Sequence, residues 1–143
     1  MTRREIREEI YKIIFSIEFH PYEELESQIE FAFDALVTIT DEDRFVKGKG
    51  YPTEEDLSYI KNKVLAIGKQ AEEIDARINE VVTNWRTSRM GKAELSAIRL
   101  AYYEMMEEHL TPAIVINEAV ELVKKYGGEE SSGFVNGVLA KLV

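Results

Sequence analysis

The sequence predicts an all-helical protein. Its 143 residues include only three prolines and eight glycines, and most of these stand where a helix is expected to begin or end. Between them, apolar residues recur at every third or fourth position, which is the period of an amphipathic helix. A chain of this length buries enough apolar surface for one domain, and it contains no cysteine. We therefore expect a fold that needs neither disulfides nor thiolate metal sites.

Two helices are expected in the N-terminal part of the chain. The first runs from about Arg3 to Phe19, and His20-Pro21 ends it. The second runs from about Tyr22 to Ile39. The stretch from Thr40 to Pro52 gathers acidic residues and glycines and is interpreted as a loop. The apolar positions of the two helices are Ile6, Ile10, Ile13, Ile14 and Ile17, then Leu25, Ile29, Ala32, Phe33 and Leu36.

A long helical pattern follows the loop. Thr53 and Asp56 have the spacing of a capping box, and the apolar period then continues to Val81. Gly68 is a point at which this pattern could divide into two helices. After Asn84-Trp85 comes a polar connector, residues 86–92, that carries basic side chains and no acid.

Three helices are expected in the remaining chain. The first ends near Glu108, and Thr111-Pro112 then supplies an N-cap with proline at the first helical position. The second is apolar nearly all round, which predicts the central helix of a bundle. Gly127-Gly128 ends it, and Ser131 or Ser132 is expected to cap the last helix.

The charge balance narrows the function classes. Lys and Arg number 18 against 27 Asp and Glu, which gives a net charge of −9. This argues against a protein that coats nucleic acid through bulk positive charge, but a local basic patch or a basic protein partner remains open. No apolar run of about 18 residues could span a bilayer, and the charged N-terminus does not resemble a signal peptide. We expect a cytoplasmic protein without a membrane segment.

The residues that most enzymes need are missing from the sequence. The two histidines, His20 and His109, stand alone, without the spacing of a zinc or di-iron site. Neither a dinucleotide loop nor a P-loop is present. Paired acids such as Glu104 and Glu108 are interpreted as solvated surface groups. We therefore expect no catalytic residue, no metal and no cofactor.

One local pattern indicates nucleic acid. On a helical wheel, Arg3, Arg4, Arg7 and Tyr11 share a sector of roughly 100°, with Phe15 at its edge. Cations interleaved with aromatic rings suit single-stranded RNA, because guanidinium groups bind phosphates and rings stack on bases. The alternative interpretation is an ordinary exposed helix face with ion pairs between successive turns.

The C-terminal half contains more specific strings. They are Ala97–Glu104 (AIRLAYYE), Ile116–Gly127 (INEAVELVKKYG) and Phe134–Leu139 (FVNGVL). Together with Asn84-Trp85, Arg89-Met90 and the N-terminal arginines, their order and spacing resemble the bacterial NusB family. The resemblance spans almost the whole chain.

The resemblance implies a fold and a function. The fold is two packed three-helix bundles, with about seven helices, in one compact domain over residues 1–143. We place the boundary between its subdomains near residue 84, giving 1–84 and 85–143. The implied function is that of a non-catalytic transcription antitermination factor. Such a factor pairs with NusE, a small-subunit ribosomal protein, and binds the boxA element of nascent ribosomal RNA in an antitermination complex with RNA polymerase.

The resemblance also implies site residues. The N-terminal arginines would contact phosphates, and aromatic residues on both sides of the Gly127–Gly133 loop would lie beside the RNA. The full set of expected RNA contacts is Arg3, Arg4, Arg7, Tyr11, Phe15, Lys124, Tyr126 and Phe134. The acidic surface suits a basic ribosomal protein, mainly through association rate and orientation.

Some residues depart from the family pattern. Glu5, Glu8 and Glu9 dilute the basic N-terminal motif, and Phe15 stands where tyrosine is common. Glu130 lies in the loop beside the expected RNA path, where its charge would repel phosphates. We therefore expect Glu130→Asn to tighten RNA binding.

Other residues of the family strings have structural interpretations. Arg99 lies in an apolar stretch and is expected to pair with Glu118 or Glu121. Asn117 and Asn136 are expected to be buried amides, Trp85 is expected to anchor the two subdomains, and Phe134 could belong either to the core or to the RNA surface.

Two alternative functions stay open. The chain could be a protein interaction module that docks NusE, aids ribosome assembly or forms a homodimer without touching RNA. A NusB-like domain also precedes the catalytic domain of an RNA cytosine methyltransferase family, but this sequence ends at Val143, soon after the last string.

Overall fold

Helices form all the regular secondary structure that the described residues contain. The structure, a computed structural model, describes residues 1–38, 50–83 and 85–143. Over these residues it has six α-helices, and the predicted all-helical class is confirmed. They are α1 (Arg3–Phe15), α2 (Leu25–Thr38), α3 (Glu54–Val81), α4 (Lys92–Met106), α5 (Pro112–Tyr126) and α6 (Glu129–Leu142). Most of the predicted loop at 40–52 lies outside the described residues, as does Asn84.

The N-terminal helices are shorter than the sequence predicts. α1 ends at Phe15, and the chain continues as a 3₁₀ turn, Ser16–Glu18, rather than as α-helix to Phe19. A second 3₁₀ turn, Tyr22–Glu24, precedes α2. The Ser16 hydroxyl donates to the Ile13 carbonyl oxygen at 2.6 Å, a local bond that competes with continued helix.

Reciprocal hydrogen bonds begin α3 as the sequence predicts. The Asp56 backbone N–H donates to Thr53 Oγ1 at 3.0 Å, and the Thr53 N–H donates to Asp56 Oδ2 at 3.0 Å. The predicted capping box is therefore confirmed. A second box, not predicted, begins α1 and is formed by Thr2 and Glu5.

Gly68 does not interrupt α3. A Cβ atom at this position would lie 2.5 Å from Leu25 Cδ2, so the glycine permits a close approach of the segment that begins α2. The sequence signal that favoured a seventh helix therefore reflects packing rather than a helix break.

The chain divides into two compact units, Met1–Gly68 and Lys69–Val143. The division falls inside α3, before the boundary expected near residue 84. In the first unit α1 packs against α2, and in the second α4, α5 and α6 all pack against one another. Fully buried aliphatic residues include Leu25, Ile10, Ile14, Ile29, Ile60, Val64 and Ile67 in the first unit, and Ile78, Ile98, Leu100, Val115, Val123, Val135 and Leu139 in the second.

The most deeply buried helix of the second unit is α4. Every residue from Leu95 to Ala101 is buried. The sequence favoured α5 as the central helix, but this is wrong, because Ile114 of α5 is 59% exposed and Asn117 is exposed too. Both α5 and α6 pack against α4. These two contacts explain why α4 is buried on more than one side.

Arg99 of α4 is buried, as its apolar surroundings predict. It forms a two-pronged ion pair with Asp75 of α3, a partner that the sequence analysis did not consider. None of the described helices is both long enough and apolar enough to cross a membrane.

Candidate nucleic-acid interface

The first turn of α1 carries the N-terminal group of candidate residues. Arg3 and Arg4 are exposed, and Arg7, one turn later, is half-buried. Thr2 caps the helix by accepting a hydrogen bond from the Glu5 N–H at 3.1 Å, which fixes where the first turn starts. Two exposed guanidinium groups therefore stand on a defined helix end.

Acids on α1 have local partners of their own. Glu5 accepts backbone N–H bonds from Thr2 and from Gly50, both at 3.1 Å. Partial burial raises the pKa of the Glu5 carboxyl, but these hydrogen bonds outweigh it, and the net pKa is lowered. Glu9 is buried, and its Oε1 lies 3.0 Å from Nζ of Lys12. Two of the three acids that interrupt the basic N-terminal motif therefore interact with groups of the protein itself: Glu5 with backbone amides and Glu9 with Lys12.

Tyr11 departs from the expected surface. It lies on the same stripe as Arg3 and Arg7, but its side chain is only 1% exposed. The exposed fraction of the side chain falls from Arg3 through Arg7 to Tyr11, because the middle of α1 faces the core. The Tyr11 ring lies next to the isoleucine face of the helix and is buried with it. Tyr11 therefore has no exposed face for a base to stack on, and we leave it out of the surface proposed below.

Aromatic surface is instead found at the C-terminal end of α1. Phe15 is half-buried, and its ring centroid lies 5.9 Å from that of Phe19, which is 62% exposed. Sequence analysis did not single out Phe19. Its spacing of four residues from Phe15 was the available signal, although the helix ends between them.

A second group of candidate residues lies at the end of α5. Lys124 is exposed, and its Nζ lies 3.6 Å from Oε1 of Glu121. Tyr126 is 41% exposed, and Nζ of Lys125 lies 5.5 Å from its ring centroid. The helix end therefore presents two lysines beside an accessible aromatic ring.

The turn after Tyr126 differs from the one predicted. Gly128 has φ of +96°, a conformation that favours glycine, and α6 begins directly afterwards at Glu129. The expected serine cap is wrong, since Ser131 and Ser132 lie inside the helix. The early start places Glu130 in the exposed first turn, where a carboxylate interacts favourably with the helix dipole.

Ser131 has a different role from capping. It is buried, and its hydroxyl oxygen lies 2.5 Å from Oε1 of Glu94 and 3.0 Å from the Gly127 carbonyl oxygen. It thereby ties α6 both to α4 and to the turn that precedes it.

Phe134, one turn further along α6, is half-buried. Together with Trp85, Gly91 and Glu94 it lines an open pocket of about 230 Å³. Trp85 is 47% exposed, so its ring is available at the surface. Asn136 is exposed, contrary to the expected buried amide, as is Asn117.

The two groups of candidate residues belong to different units. Arg3, Arg4, Arg7 and Phe15 lie in Met1–Gly68, whereas Lys124, Tyr126 and Phe134 lie in Lys69–Val143. Within the described residues, no group of three or more His, Asp or Glu side chains is arranged to hold a metal ion.

Comparison with known proteins decides the family. A sequence model of the NusB family matches residues 4–143. The chain belongs to the NusB family. The resemblance carried by the C-terminal strings is therefore confirmed, and the match also includes the N-terminal arginines from Arg4 onward.

Individual members of the NusB family agree with this assignment. The transcription antitermination protein NusB of Agathobacter rectalis is 46% identical over 142 residues, covering 99% of this chain and 98% of that protein. The solved structure of T. maritima NusB matches with a TM-score of 0.78 and 27% identity, covering 99% of this chain and 90% of that one. A chain in the crystal structure of antitermination factors NusB and NusE in complex with double-stranded RNA matches with a TM-score of 0.71 and 25% identity, covering 98% and 94%.

Proposed function

We propose that this protein is a transcription antitermination factor that binds RNA together with NusE. The observation that carries the proposal is the pair of exposed arginines on the capped first turn of α1, Arg3 and Arg4. A related solved structure contains NusB, NusE and RNA in one complex. The ligand we propose is the single-stranded boxA element of nascent ribosomal RNA.

The RNA contacts fall into two kinds. Arg3, Arg4 and Arg7 bind phosphates, since guanidinium groups make charge-assisted, two-pronged hydrogen bonds to phosphate oxygens. Phe15 and Tyr126 offer ring faces to unstacked bases, and Lys124 adds a further cation. The function is binding alone, without catalysis, within a complex that includes RNA polymerase in the cytoplasm.

Charge supports a basic protein partner. The chain carries a net charge of −9. A ribosomal protein is typically basic, so opposite charges raise the association rate and orient the encounter. We therefore propose that NusE meets an acidic surface, opposite in sign to the arginines that bind RNA.

Fluorescence anisotropy tests the proposal. Labelled boxA RNA and a scrambled RNA are titrated with the protein at two salt concentrations, with and without NusE. We expect a preference for boxA that increases when NusE is added. Arg3→Glu, Arg4→Glu and Arg7→Glu should each weaken RNA binding while leaving NusE binding unchanged.

Lys69→Glu is the matched control, because Lys69 is also exposed and the charge change is the same. It should leave RNA binding within twofold of the unmodified protein. If all three arginine variants also bind RNA normally and NusE still binds, the chain is a protein-docking module. A sedimentation experiment on the free protein would then distinguish a NusE adaptor from a homodimer.

A further inference from the structure

We propose that Glu5 is a positioning residue for RNA binding: it fixes the first turn of α1, so that Arg3 and Arg4 are held in place for phosphates. This inference rests on the proposed RNA-binding function and concerns a side chain that does not itself touch RNA. In the sequence Glu5 dilutes a basic motif, whereas in the structure both of its carboxylate oxygens hold the backbone.

The carboxylate of Glu5 joins the start of α1 to the chain that leads into α3. Its Oε1 accepts a hydrogen bond from the Thr2 N–H at 3.1 Å, and its Oε2 accepts one from the Gly50 N–H at 3.1 Å. Thr2 is the N-cap of α1, and Gly50 lies shortly before α3. One side chain therefore connects two segments that are 45 residues apart in sequence.

Asp56 makes the reciprocal connection from α3 to α1. Its Oδ2 accepts from the Thr53 N–H within the capping box of α3, and the same oxygen lies 3.5 Å from the Met1 ammonium. That ammonium also donates to the Tyr51 carbonyl oxygen at 3.4 Å, and the Met1 side chain is only 1% exposed. We call this set of contacts the α1–α3 junction, and it lies within the unit Met1–Gly68. Its residues are Met1, Thr2, Glu5, Gly50, Tyr51, Thr53 and Asp56.

The junction surrounds the exposed arginines in sequence. Arg3 and Arg4 are the first two residues of α1, so they lie between Thr2 and Glu5. The first N–H groups of a helix have no partner within it, and an end without further contacts frays. The start of α3 is a firm support, because Ile60 on this helix is fully buried. RNA that binds an already ordered turn avoids the entropy cost of ordering it.

The negative charge of Glu5 is directed toward donors of the protein. Although partial burial raises the pKa of its carboxyl group, backbone hydrogen bonds from Thr2 and Gly50 and the nearby N-terminal ammonium lower it further, to a net value below the ordinary one. Glu5 is therefore ionised at neutral pH. If it acted on RNA only by repelling phosphates, its neutralisation would tighten binding. A positioning role predicts the opposite sign.

Glu5→Gln separates these two effects. The glutamine side chain has one carbonyl oxygen and an NH₂ group that only donates, so it cannot accept from both Thr2 and Gly50. We expect boxA RNA to bind about three- to tenfold more weakly in anisotropy titrations, as the loss of one hydrogen bond would give. NusE binding should not change. Glu55→Gln is the control, since it neutralises an exposed acid next to Asp56, and it should leave RNA affinity within about twofold.

Two further measurements distinguish positioning from general stability. In a variant that already carries Arg3→Ala and Arg4→Ala, Glu5→Gln should cause no additional loss of RNA affinity, because Glu5 acts through these arginines. Thr2→Val removes the cap oxygen and should weaken RNA binding as Glu5→Gln does, whereas Thr2→Ser keeps the hydroxyl and should retain the affinity. All titrations use conditions in which circular dichroism shows each variant to be folded.

The outcomes separate this inference from the function on which it rests. If the unmodified protein does not bind boxA RNA even with NusE, the proposed RNA binding itself is wrong and this inference falls with it. If the unmodified protein binds and Glu5→Gln binds equally or more tightly, RNA binding stands and the positioning role is overturned. An equal loss from Glu5→Gln with and without the two arginines would also overturn it, because Glu5 would then act independently of Arg3 and Arg4.

Discussion

Arg99 and Asp75 form a two-pronged ion pair between α4 and α3. Nε of Arg99 donates to Oδ1 of Asp75 at 2.8 Å, and Nη2 donates to Oδ2 at 2.6 Å. Arg99 is buried, whereas Asp75 keeps partial contact with water. The planar guanidinium matches both carboxylate oxygens, a geometry that a lysine could not reproduce.

Asp75→Asn should destabilise the protein by about 3 kcal/mol, because it removes the negative charge that pairs with the buried Arg99 guanidinium. Urea unfolding followed by circular dichroism measures the change. Glu73→Gln, on an exposed position of the same helix, is the control and should change the free energy of unfolding by less than about 0.5 kcal/mol. Equal effects of the two substitutions would mean that the pair contributes nothing specific.

Ser96→Ala should stabilise the protein. The Ser96 hydroxyl is buried and has no hydrogen-bond partner among the described residues, so it loses its hydration without compensation. Ser58→Ala, at an exposed position of α3, is the control for helix propensity alone. We expect Ser96→Ala to exceed this control by about 1 kcal/mol in the free energy of unfolding. A smaller gain than the control would indicate that the hydroxyl does have a partner.

Acid should weaken the first unit through Glu5 and Asp56. The backbone hydrogen bond from Thr53 is the main cause that lowers the pKa of Asp56, and the pKa of Glu5 is lowered as described above. Both groups therefore stabilise the fold above their unfolded pKa values, and this contribution is lost as pH falls through the lower folded values. The ordinary values are 4.5 for Glu5 and 3.8 for Asp56, so the loss begins below about pH 4.5.

The double variant Glu5→Gln, Asp56→Asn tests this pH dependence. Its free energy of unfolding should be lower near neutral pH but should fall less steeply below about pH 4.5 than that of the unmodified protein. Parallel pH profiles for the two proteins would show that other carboxyl groups govern acid unfolding.

Patterns among neighbouring residues were enough to predict the helices. The features that the sequence did not predict depend on contacts between residues far apart in the chain. The capping box of Thr53 and Asp56 depends on neighbouring residues, so the sequence alone identifies it. Gly68 and Ser131 were misjudged and the Asp75 partner of Arg99 was missed, because each depends on a residue distant in sequence. A helical wheel orders side chains around an axis, but it does not show how far each turn lies from the core.

The same distinction applies to the candidate site. Exposure of Arg3 and Arg4 follows from their charge and their place at a helix start. Burial of Tyr11 and the pocket around Glu94 depend on how whole helices pack, and no spacing in the sequence encodes either. The pocket brings together residues from the connector, α4 and α6, which lie far apart in the chain.

Glu130→Asn should tighten RNA binding by about two- to fivefold, because it removes an exposed negative charge from the helix start that follows Tyr126, a proposed RNA contact. It should also lower the free energy of unfolding by about 0.5 kcal/mol, since an acid in the first turn of α6 interacts favourably with the helix dipole. Glu55→Asn removes an exposed acid from the first turn of α3 and is the control. It should show the stability loss without the gain in affinity, and equal RNA affinities for the two variants would contradict the placement of Glu130 beside RNA.

RNA binding by the free protein should depend only weakly on salt. Three arginines on α1, Arg3, Arg4 and Arg7, are proposed to contact phosphates, and each contact with a single strand contributes about −0.7 to the slope of log K against log salt. Anisotropy titrations over a range of salt concentrations should therefore give a slope near −2, and Arg3→Ala should reduce its magnitude by about 0.7, whereas Lys69→Ala should not. Because three contacts give only modest affinity, tight binding needs the additional surface of NusE. A slope of about −3 without NusE would mean that Lys124 contacts a phosphate in addition to the three arginines, and a slope of about −4 or steeper would mean that the basic connector contacts phosphates as well.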